Sequence, residues 1–161
     1  MHLNPSSHKI KNLEDALLQR KVWKDQQQKV VFTNGCFDIL HLGHIDYLEK
    51  AKQQGDQMIV GLNTDQSVSK LKGPKTPINN EYARARLLAA LEFVDLVVLF
   101  SEDTPLEIIK ILKPDILIKG KDYTIDTIVG AQEVIANGGE VKTIELVPNY
   151  STTHVIERMR E

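Results

Sequence analysis

Short apolar runs alternate along this chain with segments whose apolar residues recur at helical spacing. "KVVFTNG" is a β-branched and aromatic run that stops at a glycine turn, which predicts a buried strand. Ile45, Leu48 and Ala51 then form one helical face that ends near Gly55. "QMIVGLNTD" predicts a second strand followed by a polar loop, and "GPKTPINN" reads as loop from its prolines and asparagines. Asn80 is placed to cap a helix through "EYARARLLAAL", and "VDLVVLF" is the most plainly buried strand. Pro105 takes the first helical position of "PLEIIKIL", and "PDILIKG" is a fourth strand. A helix around "GAQEVIAN" should stop at Gly138 and Gly139, before a fifth strand in "VKTIEL". "STTHVIERMR" closes the chain as a helix capped by Ser151 or Thr152. Ahead of all this, residues 9–28 carry Ile10, Leu13, Leu17 and Leu18 at helical spacing, a leader helix that packing explains best.

Five strands alternating with helices predict an α/β fold, a parallel sheet covered on both faces, because parallel strands need crossovers. The division expected is a helical leader over residues 1–28 and one domain over residues 29–161. In such sheets ligands bind at the carboxyl ends of the strands, near the reversal of strand order. Thr33 to His44, Asn63 to Lys75, Lys119 to Tyr123 and Val147 to Thr153 all follow strands and should gather at one edge.

Composition narrows the chemistry. The 161 residues hold 20 Lys plus Arg against 22 acids, a net charge of −2, so no long-range field draws in nucleic acid or an anionic membrane. Anion binding must therefore be local. The lone cysteine, Cys36, fits a reducing cytoplasm, and small-residue packing in its turn is a simpler reading than a nucleophile. The beginning of the sequence lacks the apolar core of a signal peptide, and no run approaches a membrane span, so a cytoplasmic location is expected.

"TNGCFDILHLGH", Thr33 to His44, concentrates the candidate chemistry. Asp38, His41 and His44 stand three apart and could share a helix face as zinc ligands. Against this, Gly43 interrupts the run and no Glu is present as a general base. The phosphate reading uses more of the stretch: a strand, a glycine turn and a helix N-terminus offer free N–H groups and a positive dipole end. As core residues, the histidines would have no chemical role. Lys70, Lys72, Lys75, Arg84 and Arg86 supply a basic set further on, with Lys72 beside the "GP" turn the strongest of them and Lys70 and Lys75 read as solvated. Ser151 to Thr153 would grip the other side of a polyphosphate.

"GCFDILHLGH" resembles the G-x-F-D-x-x-H-x-G-H signature of the cytidylyltransferase-like nucleotidyltransferases, and "STT" resembles their closing I-S-T-T motif. The resemblance runs from about Lys29 to Arg158 and implies a Rossmann-like three-layer α/β/α fold with a five-stranded parallel sheet. Within the group, "NTDQSVSKLKGP", "RLLAALEFVDLVV", "PDILIKGKDY" and "GGEV" are most similar to the D-glycero-β-D-manno-heptose 1-phosphate adenylyltransferases, in their stand-alone form rather than fused behind a sugar kinase. The glycerol-3-phosphate cytidylyltransferases are the nearest rivals. "LVPNYSTT" lacks the arginine they carry before the hydroxyl run, and "IKGKDY" differs from their G-D-D-W-like stretch. Lys121 and His154 depart from the heptose pattern, where a small residue and an asparagine are common.

The resemblance implies a sugar 1-phosphate attacking the α-phosphorus of ATP in line, with pyrophosphate leaving and Mg²⁺ arriving with the phosphates. It assigns catalysis to His41, His44 and Lys72, and nucleotide contacts to Asn34, Gly35, Cys36, Phe37, Asp38, Gly43, Asn63, Asp65, Gly120, Ser151, Thr152 and Thr153. Arg84 and Asp122 are assigned to substrate, and Asp38 serves either the turn or the magnesium. No protein-held metal is expected, and the resemblance is to a group that often forms homodimers. A non-catalytic nucleotide-binding module and a zinc hydrolase are the competing classes.

Overall fold

The computed structural model describes residues 5–161; the first four residues of the leader lie outside the described residues. A 3-10 turn leads into β1 (Ile10–Lys11) and α1 (Leu13–Asp25). Then follow β2 (Val30–Gly35), α2 (Leu42–Lys52), β3 (Gln57–Asn63), α3 (Asp65–Lys72), α4 (Glu81–Ala89) and β4 (Leu96–Phe100). The chain ends with α5 (Leu106–Leu112), β5 (Ile116–Gly120), α6 (Ala131–Ala136), β6 (Glu140–Ile144) and α7 (Thr152–Met159). All pairings are parallel, in the order β1-β4-β3-β2-β5-β6.

The strands are buried on both sides, and alternate residues feed two separate cores. Val31, Val60, Leu62, Val97, Ile116 and Ile118 meet Leu48 and Ala51 of α2 and Ala85, Leu88 and Ala89 of α4. Phe32, Ile59, Val98 and Leu117 turn the other way, toward Ala16 and Trp23 of α1, Ile108, Ile109 and Leu112 of α5, and Val134 of α6. This is a three-layer sandwich, as the strand–helix alternation predicts.

The sheet has six strands, not the five expected. The addition, β1, is two residues long and pairs Ile10 with Val97 and Lys11 with Val98 at the edge. Two residues carry no readable period, so Ile10 was assigned to the helix that actually begins at Leu13. Asn12 caps that helix by accepting the Asp15 N–H at 2.8 Å. The leader helix joins the second core, and its Arg20, 6% exposed, pairs with Asp115 at 3.1 Å and donates to the carbonyls of Leu112 and Lys113. A further correction concerns the segment after β3, expected as loop. It forms α3, with Thr64 as cap, accepting from Ser67 N–H. Only Val68 is a buried apolar residue there, too little to give a helical period.

Strand order reverses at β2, which pairs with β3 on one side and with β5 on the other. Tyr47 of α2 fastens this junction: its hydroxyl lies 2.7 Å from Thr33 Oγ1 and donates to the Ile118 carbonyl at 3.1 Å. Tyr47→Phe leaves both partners buried with one bond fewer, so unfolding in urea should show a loss of about 1–3 kcal/mol. An unchanged midpoint would show that the hydroxyl does not hold the strands together.

Candidate functional site

The carboxyl ends of β2 and β5 open into a cavity of about 420 Å³. Its floor is the turn Asn34 to Asp38. Phe37 has a positive φ of 45°, an uncommon conformation for a bulky residue, and its ring folds back over Gly35. A Cβ on Gly35 would stand 2.9 Å from the Phe37 ring, so this turn requires glycine. The same ring meets His44 edge-on, with centroids 5.2 Å apart.

His41 is the N-cap residue of α2 and His44 lies in its first turn. Their rings stack, with centroids 3.8 Å apart and planes 23° apart. Gly43 makes room for this: a Cβ there would come within 2.9 Å of the His41 ring and 3.1 Å of Tyr150 Cβ. Burial lowers the pKa of His41. Burial, then His41 and Lys72, push His44 down to about 4. Two stacked rings under a lysine favour the neutral form, and a neutral imidazole keeps one N–H donor and one acceptor. The first turn of α2 adds unpaired backbone N–H groups and the dipole's positive end.

Asp38 lines the cavity, but its carboxylate is engaged by backbone. Its carboxylate accepts the N–H groups of Ile78 and Asn79, both at 2.8 Å, and Asn79 Nδ2 donates back to the Asp38 carbonyl at 2.8 Å. Of its two expected roles the structure supports the turn, and the Asp38–His41–His44 set loses its third metal ligand. Among the described residues, no group of three or more His, Cys, Asp or Glu could hold a metal ion.

Arg84 requires a correction. Expected at the substrate, it is 0% exposed and does not line the cavity. Its guanidinium donates to the carbonyls of Asn79, Cys36 and Asn63 and pairs with Asp65 at 2.8 Å. Asn63 and Asp65, expected at the nucleotide, likewise sit outside the cavity. Asn63 is 4% exposed and bonded to Ser67, and Asp65 is held by Arg84. These three residues brace the turn from behind. Of the basic set only Lys72, the last residue of α3, reaches the cavity. Lys70 pairs with Asp103, and Arg86 donates to Tyr82 at 3.1 Å.

The far wall comes from Gly120 at the end of β5, from Asp122 and Tyr123 just beyond it, and from Leu146, Val147 and Tyr150 to Thr153. Ser151 caps α7, accepting the His154 N–H at 3.1 Å, and Thr152 and Thr153 open the helix toward the same space. Burial raises the Cys36 pKa, which leaves a protonated thiol and agrees with a packing role. Lys119, Tyr123 and Tyr150 lie in stretches expected at this edge but were given no role there, and Tyr47 was not expected among the lining residues. For Lys119 a signal existed: one lysine inside an otherwise apolar strand that is buried on both faces.

The chain matches the cytidylyltransferase-like family over residues 32–158. It is 51% identical over 151 residues to the bifunctional protein HldE of Methylobacillus flagellatus, covering 94% of this chain and 31% of that protein. With the bifunctional protein HldE of Caulobacter vibrioides the identity is 54% over 155 residues, covering 96% and 32%. The chain thus spans about a third of the length of these relatives. Among solved structures, a lipopolysaccharide core biosynthesis protein from Thermoplasma volcanium superposes with a TM-score of 0.60 at 32% identity, over 74% of this chain and 97% of that one. Pantoate-beta-alanine ligase from Francisella tularensis superposes with a TM-score of 0.61 at 19% identity, over 94% and 79%, and shares the fold alone.

The depressed pKa of His44 has a consequence for folding. Between about 4 and its ordinary 6.5 only the unfolded chain takes up this proton. The shift therefore costs nothing above pH 6.5 and lowers stability as pH falls toward 4, by up to about 3 kcal/mol. Ring resonances of His44 followed by NMR should titrate near 4, and a midpoint at 6.5 would contradict a buried neutral ring.

Proposed function

Because the chain belongs to the cytidylyltransferase-like family, we propose that it is an adenylyltransferase joining ATP to D-glycero-β-D-manno-heptose 1-phosphate, with release of pyrophosphate. The observation that carries this reading is the cavity itself: stacked neutral histidines, a lysine, free helix N-termini and a hydroxyl cap around one turn, with no acid–base pair. Such a site suits a reaction whose nucleophile is already an anion, where positioning and neutralisation of phosphate charge supply the catalysis. The heptose assignment is supported by the motifs shared with that branch, by the extent of identity to the HldE proteins, and by the likeness to the lipopolysaccharide core biosynthesis protein of Thermoplasma volcanium.

In this reading the N–H groups of the Cys36–Phe37 turn and of the first turn of α2 cradle the ATP phosphates. His41 and His44 donate to the oxygens of the α-phosphoryl group as its charge redistributes, and Lys72 approaches the point where the two substrates meet. Ser151 to Thr153 receive the leaving pyrophosphate. Asp122, exposed on the wall after β5, reaches ribose or sugar hydroxyls. ATP enters as its magnesium salt; Asp38 is occupied by backbone, so the ion rides on the phosphates and their water. No helix among the described residues is long and apolar enough to cross a membrane, which accords with work in the cytoplasm on soluble substrates.

A matrix of ATP, CTP and GTP against heptose 1-phosphate, glycerol 3-phosphate and flavin mononucleotide, read by pyrophosphate release, tests the assignment. Turnover is expected for ATP with heptose 1-phosphate, and turnover confined to CTP with glycerol 3-phosphate would overturn it. His41→Ala and His44→Ala should each lower kcat by about 10²–10³ with the fold retained. Near-normal kcat in either variant would remove the histidines from the reaction.

A further inference from the structure

One cation in the cavity has no part in the scheme above. Lys119 is the fourth residue of β5, between the buried Ile118 and Gly120. Its Nζ donates to Asn34 Oδ1 at 3.1 Å and to the Asn34 carbonyl at 3.4 Å, and lies 5.2 Å from the centre of the Tyr123 ring. All of these partners are neutral. Three other cations set into the fold have a carboxylate in contact: Arg20 has Asp115, Lys52 has Asp95 and Arg84 has Asp65. Among the described residues Lys119 forms no such pair. A largely buried ammonium with no carboxylate in contact is costly: burial lowers its pKa, and the charge of the nearby Asp122 offsets this only in part. Since this lysine lines the cavity, a negatively charged ligand there would offset that cost.

Two anions must meet in the proposed reaction, and the fold carries the cations that serve them on different elements. Lys72 ends α3, which follows β3, whereas Lys119 is on β5, bonded to Asn34 of β2 and set over the Tyr123 ring. Lys119 thus enters the cavity from the β5 side of the turn, and the histidines from the start of α2. We propose that Lys119 is a substrate-binding residue that holds the phosphate of the acceptor, so that Lys72 and Lys119 bracket the attacking oxygen from the β3 and β5 sides. Asn34 fixes the direction of the ammonium. This assignment rests on the reading above, in which the acceptor is a phosphate monoester.

Lys119→Met keeps the length of the side chain and removes the buried charge, so the protein should fold with an equal or higher melting midpoint. The KM for heptose 1-phosphate should rise by roughly tenfold to a hundredfold while the KM for ATP stays within about threefold, and Lys119→Arg should recover part of the loss. A rise in the KM for ATP, unchanged KM values for both substrates, or a lower melting midpoint would overturn the proposal. If the wild-type protein turns over no sugar 1-phosphate, the functional reading fails and Lys119 is still testable. Its side-chain NMR signal, identified by its absence in Lys119→Met, should shift on titration with inorganic phosphate. No shift would overturn the anion site itself.

Discussion

Strand β2 has a parallel neighbour on each side, and the connections that leave β2 and β5 run in opposite directions across the sheet, to β3 and to β6. No crossover can then cover the carboxyl ends of β2 and β5. Their carboxyl ends form an opening in the fold by topology, before any side chain is considered. The cavity lies there because the loops after β2, β5 and β6 must all pass over that opening.

An opening is not a site until its loops are held still, and two buried charges do this. Arg84 gathers carbonyls from the turn after β2, the end of β3 and the connection before α4, while Asp38 anchors that same connection from the opposite side. Both make charge-assisted bonds to backbone, about twice as strong as neutral ones. They fix the strained Phe37 turn, which in turn places its ring against His44. The residues nearest the proposed chemistry are thus spared structural duty, and the histidines keep their rings free by stacking on each other.

The electrostatic character of the cavity follows from the same economy. It contains neutral imidazoles, N–H groups, hydroxyls and two lysines, with a single free carboxylate at the rim in Asp122. A chain with a net charge of −2 has therefore collected donors at one place. That pattern suits small polyanionic substrates that are captured at close range rather than steered from afar.

By itself the sequence determined the parallel α/β sandwich, since β-branched runs and helical periods of adequate length admit few other arrangements. It also singled out the histidine pair, Lys72 and the hydroxyl cap, which the structure brings to one cavity, because each lies in a stretch that follows a strand. What it did not contain was direction. Arg84, Asn63 and Asp65 have the right chemistry at the right loops, yet they face the interior, because the turn behind the site leaves carbonyl oxygens that only a buried donor satisfies. Lys119 lies in a strand, where sequence predicts packing, and only the pairing of β5 with β2 brings it beside Asn34, 85 residues away. The edge strand β1 was equally hidden, because two residues become a strand only when β4 offers unpaired backbone groups alongside. Local pattern thus settled which elements form and which residues could act; long-range contacts decided which of those residues face the cavity.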